Sequence, residues 1–226
     1  MTQVFYFSGA GHSKAVAEYL ADRLHCTAAE MSSAESTPVD LAVAVFPVYC
    51  QNLPPVVKTF LKGLQAERLA LAATYGGFSP GNVLQEAASL TAAKVIAGVI
   101  LPTGHSFLGE DTAFDAQAFI PFLDKLSSHE ESTLPKLPKN PFSDFFPALR
   151  SRVGLKILKS DACNHCGICT TRCPMAAMKN GVPTGNCIRC LRCVSLCPQK
   201  ALSIRTGKAL RHYLNGKRSS RVYLYV

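Results

Sequence analysis

Eight of the ten cysteines fall into two blocks of one spacing. Cys163, Cys166, Cys169 and Cys173, followed by Pro174, read C-x2-C-x2-C-x3-C-P. Cys187, Cys190, Cys193 and Cys197, followed by Pro198, repeat it 24 residues later. Four thiolates around one compact core are what a cubane [4Fe–4S] cluster needs, and two blocks provide for two clusters. The chemistry is one-electron transfer. Three cysteines at this spacing wrap a tight loop around three irons, while the fourth lies too far along the chain to close it. Each proline turns the chain away after the fourth ligand and has no N–H to leave unpaired.

The spacing resembles that of bacterial ferredoxins, in which the fourth cysteine of each block ligates the other cluster. The resemblance implies one cluster on Cys163, Cys166, Cys169 and Cys197, and a second on Cys187, Cys190, Cys193 and Cys173. Structural zinc prefers paired knuckles that give four ligands per tetrahedral site, a different pattern. A disulfide framework needs an oxidising compartment, and the N-terminus lacks the basic and apolar regions of a secretory signal. A [3Fe–4S] form would follow a missing ligand, and none is missing. Cys26 reads as a small buried residue. Cys50 has no neighbour in sequence that would lower its pKa.

A second candidate for chemistry is Ser8-Gly9-Ala10-Gly11-His12-Ser13-Lys14, between an apolar run and an amphipathic stretch. Backbone N–H groups at such a strand-to-helix turn can face a phosphate, favoured by the helix dipole. Glycine permits close approach and positive φ. The loop matches neither the P-loop nor the dinucleotide fingerprint. A turn that serves only packing is the alternative.

The elements that must position these residues alternate. Val4 to Phe7, Thr27 to Glu30, Leu41 to Phe46, Leu69 to Thr74 and Val95 to Leu101 read as strands. Between them, Ser13 to Leu24, a helix opened by Pro54 and Pro55, and Asn82 to Leu90 read as helices. Ala113 to Leu126 is a final helical stretch interrupted at Pro121. This pattern predicts an α/β fold with a parallel sheet, and its five strands with intervening helices fit a doubly wound order, 2-1-3-4-5, which periodicity alone does not fix. The expected divisions are 1–127 for this domain, 128–160 for a linker and 161–206 for a small α+β cysteine domain. Residues 207–226 form a basic tail. Pro135, Pro138, Pro141 and Pro147 break up the linker, and Phe142, Phe145 and Phe146 would pin it if buried. Arg221 to Val226 is a candidate terminal strand in a tail otherwise read as solvated or partner-facing.

Phe5 to Ser13 resembles the YFSGTGNS start of flavodoxin-like domains fused to bacterial-type two-cluster ferredoxins. Phe46 to Pro54 resembles that family's second loop, and Tyr75 to Phe78 its third. The resemblance implies FMN. The first loop would cradle its phosphate through Ser8, Gly9, Ala10, Gly11, His12 and Ser13. Pro47, Val48, Tyr49, Cys50, Gln51 and Asn52 would line one side of the ring. Thr74, Tyr75, Gly76, Gly77 and Phe78 would line the other, with Tyr49 and Tyr75 or Phe78 as stacking candidates. Two residues depart from the family. Ala10 replaces a threonine, losing a hydrogen bond worth about 1.5–3 kcal/mol to a charged group. His12 replaces an asparagine. The chain has no tryptophan, which excludes a tryptophan-stacked flavin.

At 226 residues the chain has room for one ordinary domain and a small one. No apolar run reaches the ~18 residues of a membrane span, and the expected setting is cytoplasmic. Residues 1–127 carry 7 Lys/Arg and 11 Asp/Glu; residues 128–226 carry 17 and 4. Two thiolate-bound clusters would add about −4 to the basic half. The remaining excess suits an acidic docking face on a redox partner better than nucleic acid. The sequence leaves a homodimer open. Arg172, Arg189 and Arg192 are candidates for tuning the clusters. The expected function is an electron-transfer protein relaying low-potential electrons between two [4Fe–4S] clusters and FMN. The alternatives are an FMN-dependent reductase of a small molecule or bound cofactor, and an iron–sulfur redox sensor without flavin.

Overall fold

The structure is a computed structural model and describes residues 1–34, 37–111, 113–144 and 152–226. Its main unit is a six-stranded sheet built on β1 (Thr2–Tyr6), β2 (Ala28–Glu30), β3 (Val39–Pro47), β4 (Ala66–Tyr75) and β5 (Lys94–Pro102). These five run parallel in the order 2-1-3-4-5. β3 is central, and Leu41 to Phe46 are buried along its whole length. Helices cover both faces of a parallel sheet, so such strands are apolar throughout rather than alternating.

Helix α1 (His12–Arg23) buries Val16, Ala17 and Leu20 against one face. Helix α2 (Pro55–Gly63) places Val57 and Leu61 on the other, with a proline in its first turn. Helix α3 (Val83–Ala88) lies on that second face too. Helix α4 (Ile120–Lys125) packs Phe122 on the first, preceded by a 3-10 turn over Ala116–Phe119. Pro121 stands in the first turn of α4, where its missing N–H costs nothing, so it opens the helix rather than breaking it.

The sixth strand corrects the five-stranded expectation. β10 (Tyr223–Tyr225), from the basic tail, pairs antiparallel with β5 through Ile100, Val99 and Gly98. The Tyr75 hydroxyl donates to the Arg221 carbonyl at 2.7 Å, and Tyr223 and Tyr225 pack on the core. The end of the tail is therefore part of the sheet, not solvated.

The connector packs on the sheet unit. Leu134 and Leu137 join its core, and Ser132 hydrogen-bonds Val95 and Ile96 carbonyls. Leu134 comes so close to Gly98 that a Cβ there would stand 2.8 Å from it. Phe142 is 67% exposed and pins nothing. Phe145, Phe146 and Pro147 lie outside the described residues.

Residues 155–159, inside the expected linker, form β6 (Leu155–Lys159), which pairs antiparallel with β9 (Leu202–Thr206). Between them lie α5 (Ile168–Thr171), the short hairpin of β7 (Met178–Lys179) and β8 (Val182–Pro183), and α6 (Arg192–Ser195). α7 (Lys208–Leu214) follows β9. The 24-residue repeat is also a repeat of conformation. Positive φ recurs at His165 and Arg189, at Gly167 and Leu191, and at Ala176 and Lys200. The first helical bonds recur too, Thr171 N–H to the Gly167 carbonyl and Ser195 N–H to the Leu191 carbonyl, both at 3.0 Å.

Candidate functional site

The two cysteine blocks interleave. Cys163, Cys166 and Cys169 line one small cavity together with Cys197, from the other block. Cys173 is near enough to Cys190 and Cys193 to raise both thiols. Burial pushes the Cys190 thiol up to about 11, with Cys187 and Cys173 raising it further against the nearby Arg192 charge. Burial likewise pushes Cys193 up to about 12, with Cys190, Cys187, Cys173 and, from the first block, Cys169 adding to it. Four thiols so placed repel one another as thiolates, so the site calls for positive charge at its centre. The backbone N–H of Ala177 points at Cys173 Sγ (3.2 Å) and that of Ala201 at Cys197 Sγ (3.3 Å). These bonds stabilise negative charge on sulfur, as metal-bound thiolates require. Among the described residues no three His, Cys, Asp or Glu side chains converge tightly enough for a single metal ion.

The three loops expected to hold a flavin lie together beyond the C-terminal ends of β1, β3 and β4. Ser13 Oγ and Thr74 Oγ1 share a buried 2.8 Å hydrogen bond, tying the first loop to the third. Val48 N–H reaches the Thr74 carbonyl at 2.8 Å, tying in the second. Gly11, at φ 107°, opens α1 with no side-chain cap, and a Cβ on it would meet nothing within 4 Å. An uncapped first turn beside open space suits a phosphate. Ser8 Oγ accepts from Gly11 N–H at 3.1 Å and shapes the turn.

The expected stacking residues are placed differently from one another. Tyr49 packs edge-on to Phe7, and burial and Cys190 raise its hydroxyl well above the ordinary range. Tyr75 is buried under Arg221 and Tyr223. Phe78 stacks on Tyr213 of α7, ring centres 4.5 Å apart. His105 lies against Gly76, where a Cβ would come within 2.3 Å of its ring, and Ser219 N–H bonds the Gly77 carbonyl. Cys50 is exposed, with φ 51°. Asn52 is buried, donating to the Ser143 carbonyl and accepting from Lys139. Gln51 accepts from Asn140 N–H.

Sequence reasoning missed a charged group beside the third loop. Arg218 donates to Glu110 Oε2 (2.5 Å), which also accepts from His105 N–H (2.9 Å). Burial holds the His105 pKa down to about 4. The Arg218 hydrogen bond holds Glu110 down to about 2. His12 is lowered by burial, with Glu110 acting against it. These residues come from three separate segments, and no local pattern announces them.

Of the three arginines beside the cysteines, Arg172 is exposed and Arg189 bonds the Leu155 carbonyl. Arg192 is buried and reaches the first loop. A cavity of about 440 Å³ lies between α2, the turn after β2 and Pro174–Met175. Phe5, Met31, Phe60 and Met175 contribute to its wall. No helix among the described residues is long and apolar enough to cross a membrane.

No protein-family model matches the chain, and no curated protein matches it. Among the solved structures similar over part of it are two of proteins provisionally named flavoproteins. That from Bacteroides uniformis is 18% identical, covering 46% of this chain and 91% of its own, with a TM-score of 0.36. That from Bacteroides eggerthii is 19% identical, covering 57% and 98%, with a TM-score of 0.39.

Proposed function

We propose that the chain is an electron-transfer protein that carries two [4Fe–4S] clusters and FMN. What supports this reading most is that Cys197 lines the cavity of the first block, with Cys173 near enough to Cys190 and Cys193 of the second to raise their thiols. Cys163, Cys166, Cys169 and Cys197 would hold one cluster, and Cys187, Cys190, Cys193 and Cys173 the other. The N–H groups of Ala177 and Ala201 hold negative charge on the two exchanged sulfurs. The backbone of Ser8 to Ser13 would hold the FMN phosphate at the uncapped start of α1. Pro47 to Asn52 and Thr74 to Phe78 are the loops that would flank its ring. Clusters supply single electrons and a flavin takes one or two, so such a protein joins one-electron and two-electron partners. Its setting is proposed to be the cytoplasm, with an acidic redox protein as partner.

The test is iron, sulfide and flavin content of protein purified without oxygen, followed by titration with FMN. About eight iron per chain and one bound FMN support the proposal. Zinc in place of iron sinks the cluster half; iron without any FMN binding sinks the flavin half and leaves the sensor reading.

A further inference from the structure

We propose that the second cysteine block is the immediate redox neighbour of the first loop within one chain, with Arg192 as the residue that positions the pair. The outer cavity of Cys163, Cys166, Cys169 and Cys197 then receives electrons from the external partner. This inference rests on the reading of two clusters and FMN given above.

Arg192 is 8% exposed, and its guanidinium is engaged on three sides. Its Nε and one terminal nitrogen both donate to the Ser8 carbonyl, at 3.2 and 2.6 Å. The other terminal nitrogen pairs with the Glu30 carboxylate at the end of β2. Its face lies over the Phe7 ring, 5.3 Å from the centre. An unpaired buried charge costs several kcal/mol, so this set of partners fixes where α6 sits. Next to it the Cys190 carbonyl presses on Gly9 so closely that a Cβ there would stand 2.0 Å away. Ser195 Oγ also reaches the Gly9 carbonyl, at 3.4 Å. The strand-to-helix loop and the second cysteine block thus touch through backbone, with no side chain between Gly9 and Cys190.

The two blocks differ in access. Cys187 and Cys193 are buried, at 7% and 8%. The first cavity is walled by exposed Asn164, His165, Cys166 and Ile168. The stem of exposed Lys159 lies on Gly181 in the same wall. The first block is the more open to a partner protein, since Cys166 is exposed while Cys187 and Cys193 are buried and Cys173 and Cys190 half-buried. Electron balance suits one chain. Each reduced cluster gives up one electron and returns to its oxidised charge. Two such electrons and two protons from solvent convert FMN to FMNH2.

The test uses the full chain, freed of flavin, reduced with dithionite and desalted without oxygen. It is mixed with FMN in a stopped-flow instrument, and equilibrium FMN binding is measured separately. In the native chain, flavin reduction should saturate with FMN at a rate independent of protein concentration. Arg192→Gln should lower that rate about tenfold or more. In the flavin-free protein the same variant should lower one of the two cluster potentials and leave the other. A tenfold shift in the ratio of reduced to oxidised cluster would be about 59 mV for one electron. Arg192→Lys keeps the charge without the fork, so it should restore the potential and only part of the rate. An unchanged rate and unchanged potentials in Arg192→Gln would overturn the inference. So would FMN binding with reduction that scales with protein concentration, which is transfer between chains. Absence of FMN binding in the native chain overturns the flavin reading and this relay together. That failure is separable, because the potentials in flavin-free protein report on Arg192 alone.

Discussion

At the scale of single residues, some atoms of the first loop have no room to move. Gly9 faces a backbone carbonyl, that of Cys190, and no rotamer change can relieve a methyl group placed there. Gly9→Ala should destabilise the protein by about 1–3 kcal/mol, as overpacking does, measured by urea unfolding. Gly11→Ala faces open space, and its cost comes from backbone strain at φ 107° instead. The exchanged cysteines give a sharper expectation. Cys173→Ser should abolish the cluster of the second block and leave that of the first, so its iron falls from about eight to about four per chain. Its spectrum should match that of Cys187→Ser and differ from that of Cys163→Ser. A Cys173→Ser protein indistinguishable from Cys163→Ser would overturn the exchange. The cysteine spacing was legible in the sequence because each block is one local loop written twice. The partners of Arg192 were not, since Ser8 lies 184 positions away and nothing in Leu-Arg-Cys distinguishes a buried arginine from a solvated one.

At the scale of elements, the segment after β5 and the tail after α7 close over the third loop through His105, Glu110 and Arg218. His105 Nδ1 accepts from Phe107 N–H at 3.2 Å, so the ring is held neutral in that geometry. Its pKa of about 4 lies below the ordinary 6.5, with burial the main cause. Glu110 opposes the shift, and Arg218 and His12 add to it. As pH falls from 6.5 toward 4, the unfolded chain takes up a proton that the folded chain refuses. Stability present above pH 6.5 is therefore lost through that window, by about 1–2 kcal/mol for a partly exposed ring. Glu110 acts lower, its contribution lost between its ordinary 4.5 and about 2. Thermal unfolding at pH 7 and pH 4.5 should show a smaller loss for His105→Asn than for the native chain. Equal losses would remove His105 as the cause. The apolar strands were legible because both faces are buried and every residue from Leu41 to Phe46 is hydrophobic. The closure over the third loop was not, because its residues are polar, scattered and held by contacts that only the fold creates.

At the scale of the whole molecule, the chain returns at its end to the sheet with which it began. Sequence pattern reached five parallel strands with intervening helices; their order, 2-1-3-4-5, came from fitting them to a doubly wound sheet, since periodicity does not fix it. It stopped short of β10 because a three-residue Tyr-Leu-Tyr strand carries too little pattern to separate it from a tail. Yet this strand has a job that the sheet's architecture creates. Without it, β5 would present Gly98 to Ile100 as an open edge, and open edges template association. It also brings Tyr223 and Tyr225 onto the core and gives the buried Tyr75 hydroxyl its acceptor. Ending the chain after Ser220 should therefore do two things at once. It should lower the melting temperature, by loss of the Tyr75–Tyr223 ring contact, the packing of Tyr225 and one part-buried hydrogen bond, together about 2–4 kcal/mol. It should also make the protein associate as concentration rises, seen by light scattering after gel filtration. Replacing only Tyr223 and Tyr225 by Ala keeps the backbone pairing, so that variant should lose stability without gaining association. Equal association of the two variants would show that exposed apolar surface, and not the freed edge of β5, drives the chains together.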